Sequence, residues 1–243
     1  MDAFKLDGRI ALVTGSSAGI GEALARGLAQ AGAEVVINGR RREPVDKVVQ
    51  SLLDAGLKAH AAPFDVTDPN AAAAAVEDIE THVGPIDILV NNAGIQRRES
   101  LEAFDEATWR ELMSTNLDSV FYVSKPVANR MIPRKRGSII NICSVQSELG
   151  RPGIAPYATT KGAVKMLTKG MCIDWAGHGI QVNAIGPGYF KTPLNKALVV
   201  DPEFSAWLEN RTPAGRWGDV EELAGAAVFL ASKASSFING HIL

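Results

Sequence analysis

The first half of the chain alternates short apolar runs with stretches in which apolar residues recur at helical spacing. Apolar runs of this kind predict strands buried on both faces, and the helical stretches predict the crossovers of a parallel sheet. The predicted strands cover residues 10–13, 35–38, 59–64, 86–90, 138–142 and 181–185. Right-handed crossovers would wind them into a doubly wound, Rossmann-type α/β sheet that binds ligands at the carboxyl ends of its strands.

Six helices are expected, and they flank the sheet on both faces. They cover residues 19–31, 44–53, 70–79, 106–131, 157–175 and 220–231. The stretch 70–79 is rich in alanine, the best helix former, and is therefore predicted to be helical despite its low complexity. No linker or repeat interrupts this order, so residues 1–243 are predicted to form a single domain.

Two segments depart from the rhythm of strands and helices. Residues 188–215 are long and irregular and contain three prolines, which is typical of a lid over an active site. Residues 239–243 have the pattern of the beginning of another strand, which we expect to be cut short.

Composition narrows the class of protein. The chain has 46% hydrophobic and 21% charged residues and a net charge of −2, a balance that argues against nucleic acid or a membrane surface as partner. No apolar run reaches the length of a signal or membrane-spanning segment. Only Cys143 and Cys172 are present, without metal-ligand spacing, so we expect a reduced cytoplasmic protein with no catalytic metal.

A glycine-rich segment follows the first predicted strand and opens the first predicted helix. Gly15, Gly19 and Gly21 leave room for a tight turn whose backbone N–H groups approach a pyrophosphate. Ser16, Ser17 and Ile20 complete the predicted cofactor-binding turn. The alternative is that these glycines serve only the turn and helix packing.

Tyr157 and Lys161 lie four residues apart, so a helix brings them to one face. A free tyrosine has a pKa of about 10, too high for a base at neutral pH. A charge about 4 Å away contributes roughly 4 kcal/mol at an effective dielectric of about 20, enough to lower that pKa by about 3 units. We therefore expect the Lys161 ammonium, helped by a cationic nicotinamide, to lower the pKa of Tyr157; the alternative is an ordinary surface pair.

Three motifs occur together in this order: T-G-x-x-x-G-I-G at 14–21, N-N-A-G at 91–94 and Y-x-x-x-K at 157–161. With them the chain resembles the short-chain dehydrogenase/reductase family over essentially its whole length. The resemblance implies hydride transfer between a nicotinamide cofactor and a secondary alcohol or ketone. It also implies catalytic roles for Asn116, Ser144, Tyr157 and Lys161, and cofactor contacts at Asp65, Val66, Asn91, Ala93, Gly94, Tyr157, Lys161, Pro187, Gly188 and Thr192.

The residues after the second predicted strand bear on the choice of cofactor. An acidic residue there would bind the ribose 2′-hydroxyl of NAD, but the sequence runs Asn-Gly-Arg-Arg-Arg from residue 38 to residue 42. Arg40 can hold a 2′-phosphate with two hydrogen bonds, so NADP(H) is favoured. Ala18 stands where many NADP-using relatives have a basic residue, so use of NAD(H) stays open.

Charged residues follow the strands that would carry the active site. Arg97 and Arg98 come just after the strand 86–90, and Gln146, Glu148 and Arg151 lie between Ser144 and Tyr157. Arginines suit a carboxylate, and Gln146 or Glu148 suits hydroxyl groups, so these residues favour a small polyol acid. The alternative is a salt bridge among Arg97, Arg98 and Glu148.

Three stretches, 141–144, 147–152 and 186–190, are similar to bacterial gluconate 5-dehydrogenases, and Tyr189 lies in the third. This similarity implies interconversion of D-gluconate and 5-keto-D-gluconate in carbohydrate metabolism, and family members usually form homotetramers. Dehydrogenases of related sugar acids or polyols and reductases of 3-oxoacyl thioesters share most of the motifs. An NADP(H)-sensing protein without turnover is the non-enzymatic alternative.

Overall fold

The computed structural model describes residues 2–243 and contains a six-stranded sheet in which every neighbouring pair is parallel. The strand order is β3-β2-β1-β4-β5-β6, so the direction of winding reverses between β1 and β4. A crevice opens at that reversal, beyond the carboxyl ends of the strands. The strands are β1 Ile10–Val13, β2 Glu34–Gly39, β3 Ala59–Pro63, β4 Ile86–Asn91, β5 Gly137–Ile142 and β6 Ile180–Ile185.

Helices cover both faces of the sheet, which explains why its central strands read as continuous apolar runs. They are α1 Gly19–Gln30, α2 Arg42–Asp54, α3 Pro69–His82, α4 Glu106–Met113, α5 Ser119–Arg134, α6 Ala155–Trp175, α7 Lys196–Val199, α8 Pro202–Arg211 and α9 Ala224–Ala231. Leu24 of α1 and Leu230 of α9 pack in one apolar core, and Val76 of α3 and Val127 of α5 pack in the other. The predicted doubly wound α/β fold is confirmed.

The long helix predicted over 106–131 is interrupted. A π-helical turn, Ser114–Asp118, separates α4 from α5 and contains Asn116. Apolar periodicity across this region does not reveal the inserted residue, because the helical pattern resumes immediately after the turn.

Segment 188–215 contains more regular structure than its prolines suggested. A 3₁₀ turn, Pro193–Asn195, leads into α7, and α8 follows with Pro202 in its first turn and the Asp201 side chain as its cap. A proline at that position supports a helix rather than breaking it. Pro193 and Pro202, two of the three prolines on which the prediction of an irregular segment rests, therefore begin helical turns.

The last described residues lie beside β6. The backbone N–H groups of Gly240 and Leu243 donate to the carbonyls of Val182 and Ala184, and Ile242 forms a parallel bridge with Ala184. Among residues 2–243, no helix is both long and apolar enough to span a membrane.

Candidate active site

In the glycine-rich turn between β1 and α1, neighbouring atoms leave no space for a side chain at Gly15 or Gly21. Gly15 and Gly19 adopt positive φ angles of 61° and 62°, which favour glycine. A Cβ atom on Gly15 would lie 2.8 Å from the Cα of Ala93, and one on Gly21 would lie 2.5 Å from the Gly15 carbonyl oxygen. The N-terminus of α1 consequently faces the crevice with unobstructed N–H groups, an arrangement that fits a dinucleotide pyrophosphate.

A cavity of about 400 Å³ extends from this turn across the carboxyl ends of the strands. Most of the residues predicted to bind cofactor or substrate or to act in catalysis line it. These are Gly15, Ser17, Gly19, Ile20, Gly21, Arg40, Asp65, Val66, Ala93, Gly94, Arg98, Ser144, Gln146, Arg151, Tyr157, Lys161, Pro187, Gly188, Tyr189 and Thr192.

Five predicted residues do not line the cavity: Ser16, Asn91, Arg97, Asn116 and Glu148. Ser16 is buried beneath the glycine turn, where its hydroxyl donates to the Val13 carbonyl at 2.7 Å and accepts from the Asn38 N–H at 3.0 Å. The Asn91 amide donates to Ser124 and Asn141, both at 2.9 Å. Ser16 and Asn91 therefore support the wall of the site from behind.

Asn92 was not singled out from the sequence, although it belongs to the N-N-A-G motif and lines the cavity. Its side-chain amide donates to the carbonyls of Thr14 at 2.9 Å and Gly15 at 3.0 Å. The Thr14 hydroxyl in turn accepts from the N–H groups of Asn92 and Ala93. These bonds hold the end of β4 against the glycine turn, so the two motifs form one structural unit.

Ser144, Tyr157 and Lys161 meet at the middle of the cavity. Lys161 is only 5% exposed, and its ammonium donates to the Ile142 carbonyl at 2.7 Å while lying 5.9 Å from the centre of the Tyr157 ring. Burial lowers the pKa of Lys161 to about 8. Lys161 can therefore hold or release a proton close to neutral pH.

The pKa of Tyr157 shifts in the direction opposite to the one expected from the sequence. Burial raises it, and the neighbouring Ser144 hydroxyl and the positive charge of Arg98 only partly oppose that rise. The helical spacing does bring Lys161 to the tyrosine, but the ammonium binds the Ile142 carbonyl and the half-buried phenol is partly desolvated. In the chain itself Tyr157 is thus held protonated, ready to donate a proton.

A short turn after β5 fixes the position of Ser144. The Ser144 hydroxyl accepts from the Gln146 N–H at 3.1 Å. The Ser147 hydroxyl accepts from the Ser144 N–H at 3.3 Å and donates to the Lys161 carbonyl at 3.0 Å. Ser147 therefore joins this turn to α6, a role that the sequence did not indicate because it depends on a contact across 14 residues.

Asn116 joins the loop after β4 to α6. Its Oδ1 accepts from the Ile95 N–H at 2.8 Å, and its Nδ2 donates to the Ile95 carbonyl at 2.9 Å and the Thr160 hydroxyl at 3.2 Å. The π-helical turn aims this side chain inward, and such turns are frequent at functional sites. The Thr160 hydroxyl donates to the Tyr157 carbonyl at 2.8 Å, so Asn116 links Ile95 to the turn of α6 that contains Tyr157.

Arg40 lies at the exposed rim of the cavity, after β2. Burial raises the pKa of the nearby Asp65, but hydrogen bonds from Thr67 and the charge of Arg40 lower it overall. Arg42 pairs with Asp46 on α2 at 3.3 Å and does not line the cavity. Of the three consecutive arginines, only Arg40 is placed to bind a phosphate in the cavity.

Arg98 and Arg151 bring two positive charges to the end of the cavity beyond Tyr157. Burial lowers the pKa of Arg98 most, and the positive charge of Arg151 lowers it further. Within residues 2–243 neither arginine forms an ion pair with a carboxylate. Arg98 is exposed at the mouth of the cavity and Arg151 is half-buried, and two arginines that line a cavity without an acidic partner favour an anionic ligand there.

The salt bridge considered among Arg97, Arg98 and Glu148 does not form. Arg97 pairs with Glu111 at 3.0 Å, and Glu148 pairs with Lys165. Both pairs lie outside the cavity. Arg97 and Arg98 are adjacent in sequence, but Arg97 forms an ion pair outside the cavity, whereas Arg98 lines the cavity.

No group of three or more His, Cys, Asp or Glu side chains in the described part of the chain could hold a metal ion.

The family model described as "short chain dehydrogenase" matches residues 9–203. The gluconate 5-dehydrogenase of Gluconobacter oxydans strain 621H is 61% identical over 242 residues, covering 100% of this chain and 94% of that protein. The 5-keto-D-gluconate 5-reductase of Escherichia coli strain K12 is 56% identical over 242 residues, with coverage of 100% and 95%. A crystal structure of a gluconate 5-dehydrogenase from Burkholderia cenocepacia J2315, in complex with NADP and tartrate, superposes with a TM-score of 0.98 at 61% identity and covers 100% of this chain and 95% of that one.

Proposed function

The chain belongs to the short-chain dehydrogenase family, and we propose that it catalyses the reversible, NADP-dependent interconversion of D-gluconate and 5-keto-D-gluconate. One structural observation supports the proposal independently of the names of the relatives. The cavity joins a phosphate-accepting turn to the Ser144–Tyr157–Lys161 group and ends at Arg98 and Arg151, which have no acidic partner. A hydroxy acid fits this order of groups.

The chain's own residues move the proton. In ketone reduction Ser144 donates a hydrogen bond to the carbonyl oxygen, and Tyr157, kept protonated by burial, transfers its phenolic proton to that oxygen. NADPH, when bound, supplies the hydride to the carbonyl carbon, so the product is the secondary alcohol. In the oxidation direction the phenol first releases its proton to solvent, and the resulting phenolate then takes the hydroxyl proton of the alcohol; the Lys161 ammonium, 5.9 Å from the ring centroid, favours the phenolate through its charge.

The two ends of the cavity account for binding. The glycine turn and the N-terminus of α1 would hold the pyrophosphate, and Arg40 would bind the 2′-phosphate that distinguishes NADP from NAD. Gly39 leaves no acidic group to repel that phosphate: a Cβ there would lie 2.9 Å from the Ser17 hydroxyl. Arg98 and Arg151 would bind the substrate carboxylate.

We propose a homotetramer as the assembly. Apolar side chains are exposed along α5 and α6, where Phe121 is 48%, Met166 61% and Ile173 80% exposed, and Phe237 near the chain end is fully exposed. Large apolar groups of this kind commonly mark contacts between subunits. Light scattering should give about four times the chain mass of 25.8 kDa; a monomer at micromolar concentration would contradict the proposal.

A cytoplasmic location is proposed from the two free cysteines, one of them buried. Cell fractionation with immunodetection tests it: we expect the protein in the fraction that contains cytoplasmic marker enzymes, and recovery with the membranes or outside the cell would contradict it.

A substrate panel followed by nicotinamide absorbance tests the catalytic proposal. D-Gluconate, other sugar acids, neutral polyols and 3-oxoacyl thioesters are offered with the matching redox form of NADP or NAD. We expect turnover of D-gluconate with NADP and of 5-keto-D-gluconate with NADPH. Turnover confined to thioesters or neutral polyols would refute the substrate, and tight NADPH binding without any turnover would favour a sensing protein.

A further inference from the structure

The two arginines at the substrate end are held in different ways. Arg98 donates from Nη2 to the Oδ1 of Asn195 at 3.2 Å. No hydrogen bond or ion pair within residues 2–243 holds the Arg151 side chain, and its Nε is buried without a partner. A like charge nearby would push Arg151 away from Arg98, so another contact must keep its guanidinium in place.

That contact is the ring of Phe204 on α8. The centre of the Arg151 guanidinium lies 5.5 Å from the ring centroid, within the range of a cation–π interaction. Phe204 does not line the cavity itself, so it acts on the substrate end through the residues it contacts there, of which Arg151 is the charged one.

Phe204 is itself fixed by three aromatic side chains. Its centroid lies 5.2 Å from that of Trp207, 5.8 Å from that of Tyr189 and 6.2 Å from that of Trp217. Trp217 is buried, and its indole N–H donates to the Ser205 hydroxyl at 3.1 Å. The Phe204 ring, which faces the Arg151 guanidinium, is therefore packed against aromatic rings on several sides.

We propose that Phe204 is a positioning residue that sets Arg151 for the substrate carboxylate. The inference rests on the proposed function, in which Arg98 and Arg151 bind that carboxylate. Phe204 thereby contributes to the preference for an acid over its uncharged analogue, although it does not line the cavity.

The test compares D-gluconate with D-gluconamide, which keeps every hydroxyl but lacks the negative charge. The readout is the ratio of their kcat/KM values with NADP, which a general loss of fold or of cofactor binding does not move. Phe204→Leu should lower this ratio about 5- to 10-fold, mostly through KM for gluconate. Phe204→Trp, which keeps an aromatic face, should restore most of it.

Trp207→Leu is the matched control, because the Trp207 ring contacts the guanidinium of Arg211, at 4.8 Å, rather than that of Arg151, and the variant leaves Phe204 packed against Tyr189 and Trp217. The ratio of kcat/KM for gluconate to that for gluconamide should stay within about twofold of the wild-type value in this variant. If Phe204→Leu proves unstable, judged by thermal melting with NADPH, Phe204→Met is measured in its place because it keeps more of the apolar volume.

An unchanged ratio in the Phe204 variants, or an equal fall in Trp207→Leu, would overturn the inference alone. Failure of Phe204→Trp to restore the ratio would also overturn it. If wild-type enzyme showed no preference for gluconate over gluconamide, the carboxylate assignment within the proposed function would fail as well.

Discussion

The two ends of the cavity are built differently. At the cofactor end, the ends of β1 and β4 and the start of α1 place backbone groups around Gly15, and the bonds of Thr14 and Asn92 connect them. At the substrate end, side chains from distant segments hold one another, as Phe204 holds Arg151. The first end depends on main-chain geometry, whereas the second depends on pairs of side chains, and substitutions should act on them separately.

Tyr157→Phe should have the largest effect, because it removes the proton donor that lies between the two ends. We expect kcat/KM for 5-keto-D-gluconate to fall about 10²- to 10⁴-fold. The dissociation constant of NADPH, measured by fluorescence titration, should stay within about threefold, since the glycine turn is untouched. A variant that keeps near-normal kcat would contradict the role of the tyrosine.

Arg98→Ala should lower kcat/KM for gluconate by about 10- to 100-fold, because it removes a positive charge that lines the substrate end of the cavity. Arg97→Ala is the matched control one residue away, and its ion pair with Glu111 lies outside the cavity. Its effect should stay within about twofold. Similar losses in the two variants, measured under the same conditions, would show that the substrate end has been assigned incorrectly.

Arg40→Ala should act on the cofactor end alone. We expect kcat/KM for NADP to fall about 10- to 100-fold, since a charge-assisted contact with the 2′-phosphate is lost. The value for NAD should change less than about threefold. Equal losses with both cofactors would contradict the role of Arg40.

The pH dependence of ketone reduction should report on Lys161. Its pKa is lowered to about 8, so Lys161 carries a proton below that pH and loses it above. Tyr157 has a raised pKa and stays protonated over the same range. We therefore expect kcat/KM to be flat below about pH 8 and to fall above it, by up to about tenfold per pH unit.

Lys161→Arg provides the control for this profile, because arginine keeps its charge throughout. The variant is expected to be slower but to lack the inflection near pH 8. If the inflection persisted in the variant, another group would be responsible for it.

The difference between the ends explains what could be predicted from the sequence. The fold follows from apolar periodicity, and Gly15 and Gly21 could be assigned because a turn this tight admits no other residue. Glycine and strand patterns are local, so a single sequence contains them in full. The cofactor contact expected of Ser16 stays a prediction, and spacing does not reveal that its hydroxyl donates to the Val13 carbonyl.

The substrate end was harder to predict because its contacts join segments far apart in the chain. Arg97 and Arg98 are equivalent in sequence, and only the positions of Glu111 and Asn195 separate them. The contact of Phe204 with Arg151 spans two loops, so no spacing rule could show it. In the chain itself the pKa of Tyr157 is raised, whereas Lys161 with a cationic nicotinamide was expected to lower it, because burial is the largest influence and is a property of the folded chain.

The most direct test of the account is a comparison of wild-type kcat/KM for D-gluconate and D-gluconamide, each with NADP and with NAD. We predict that gluconate with NADP is the best pair and that replacing either partner lowers the value by about tenfold or more, independently of the other. Equal rates for the acid and the amide, or for the two cofactors, would contradict the claim that the two ends of the cavity each recognise an anionic group.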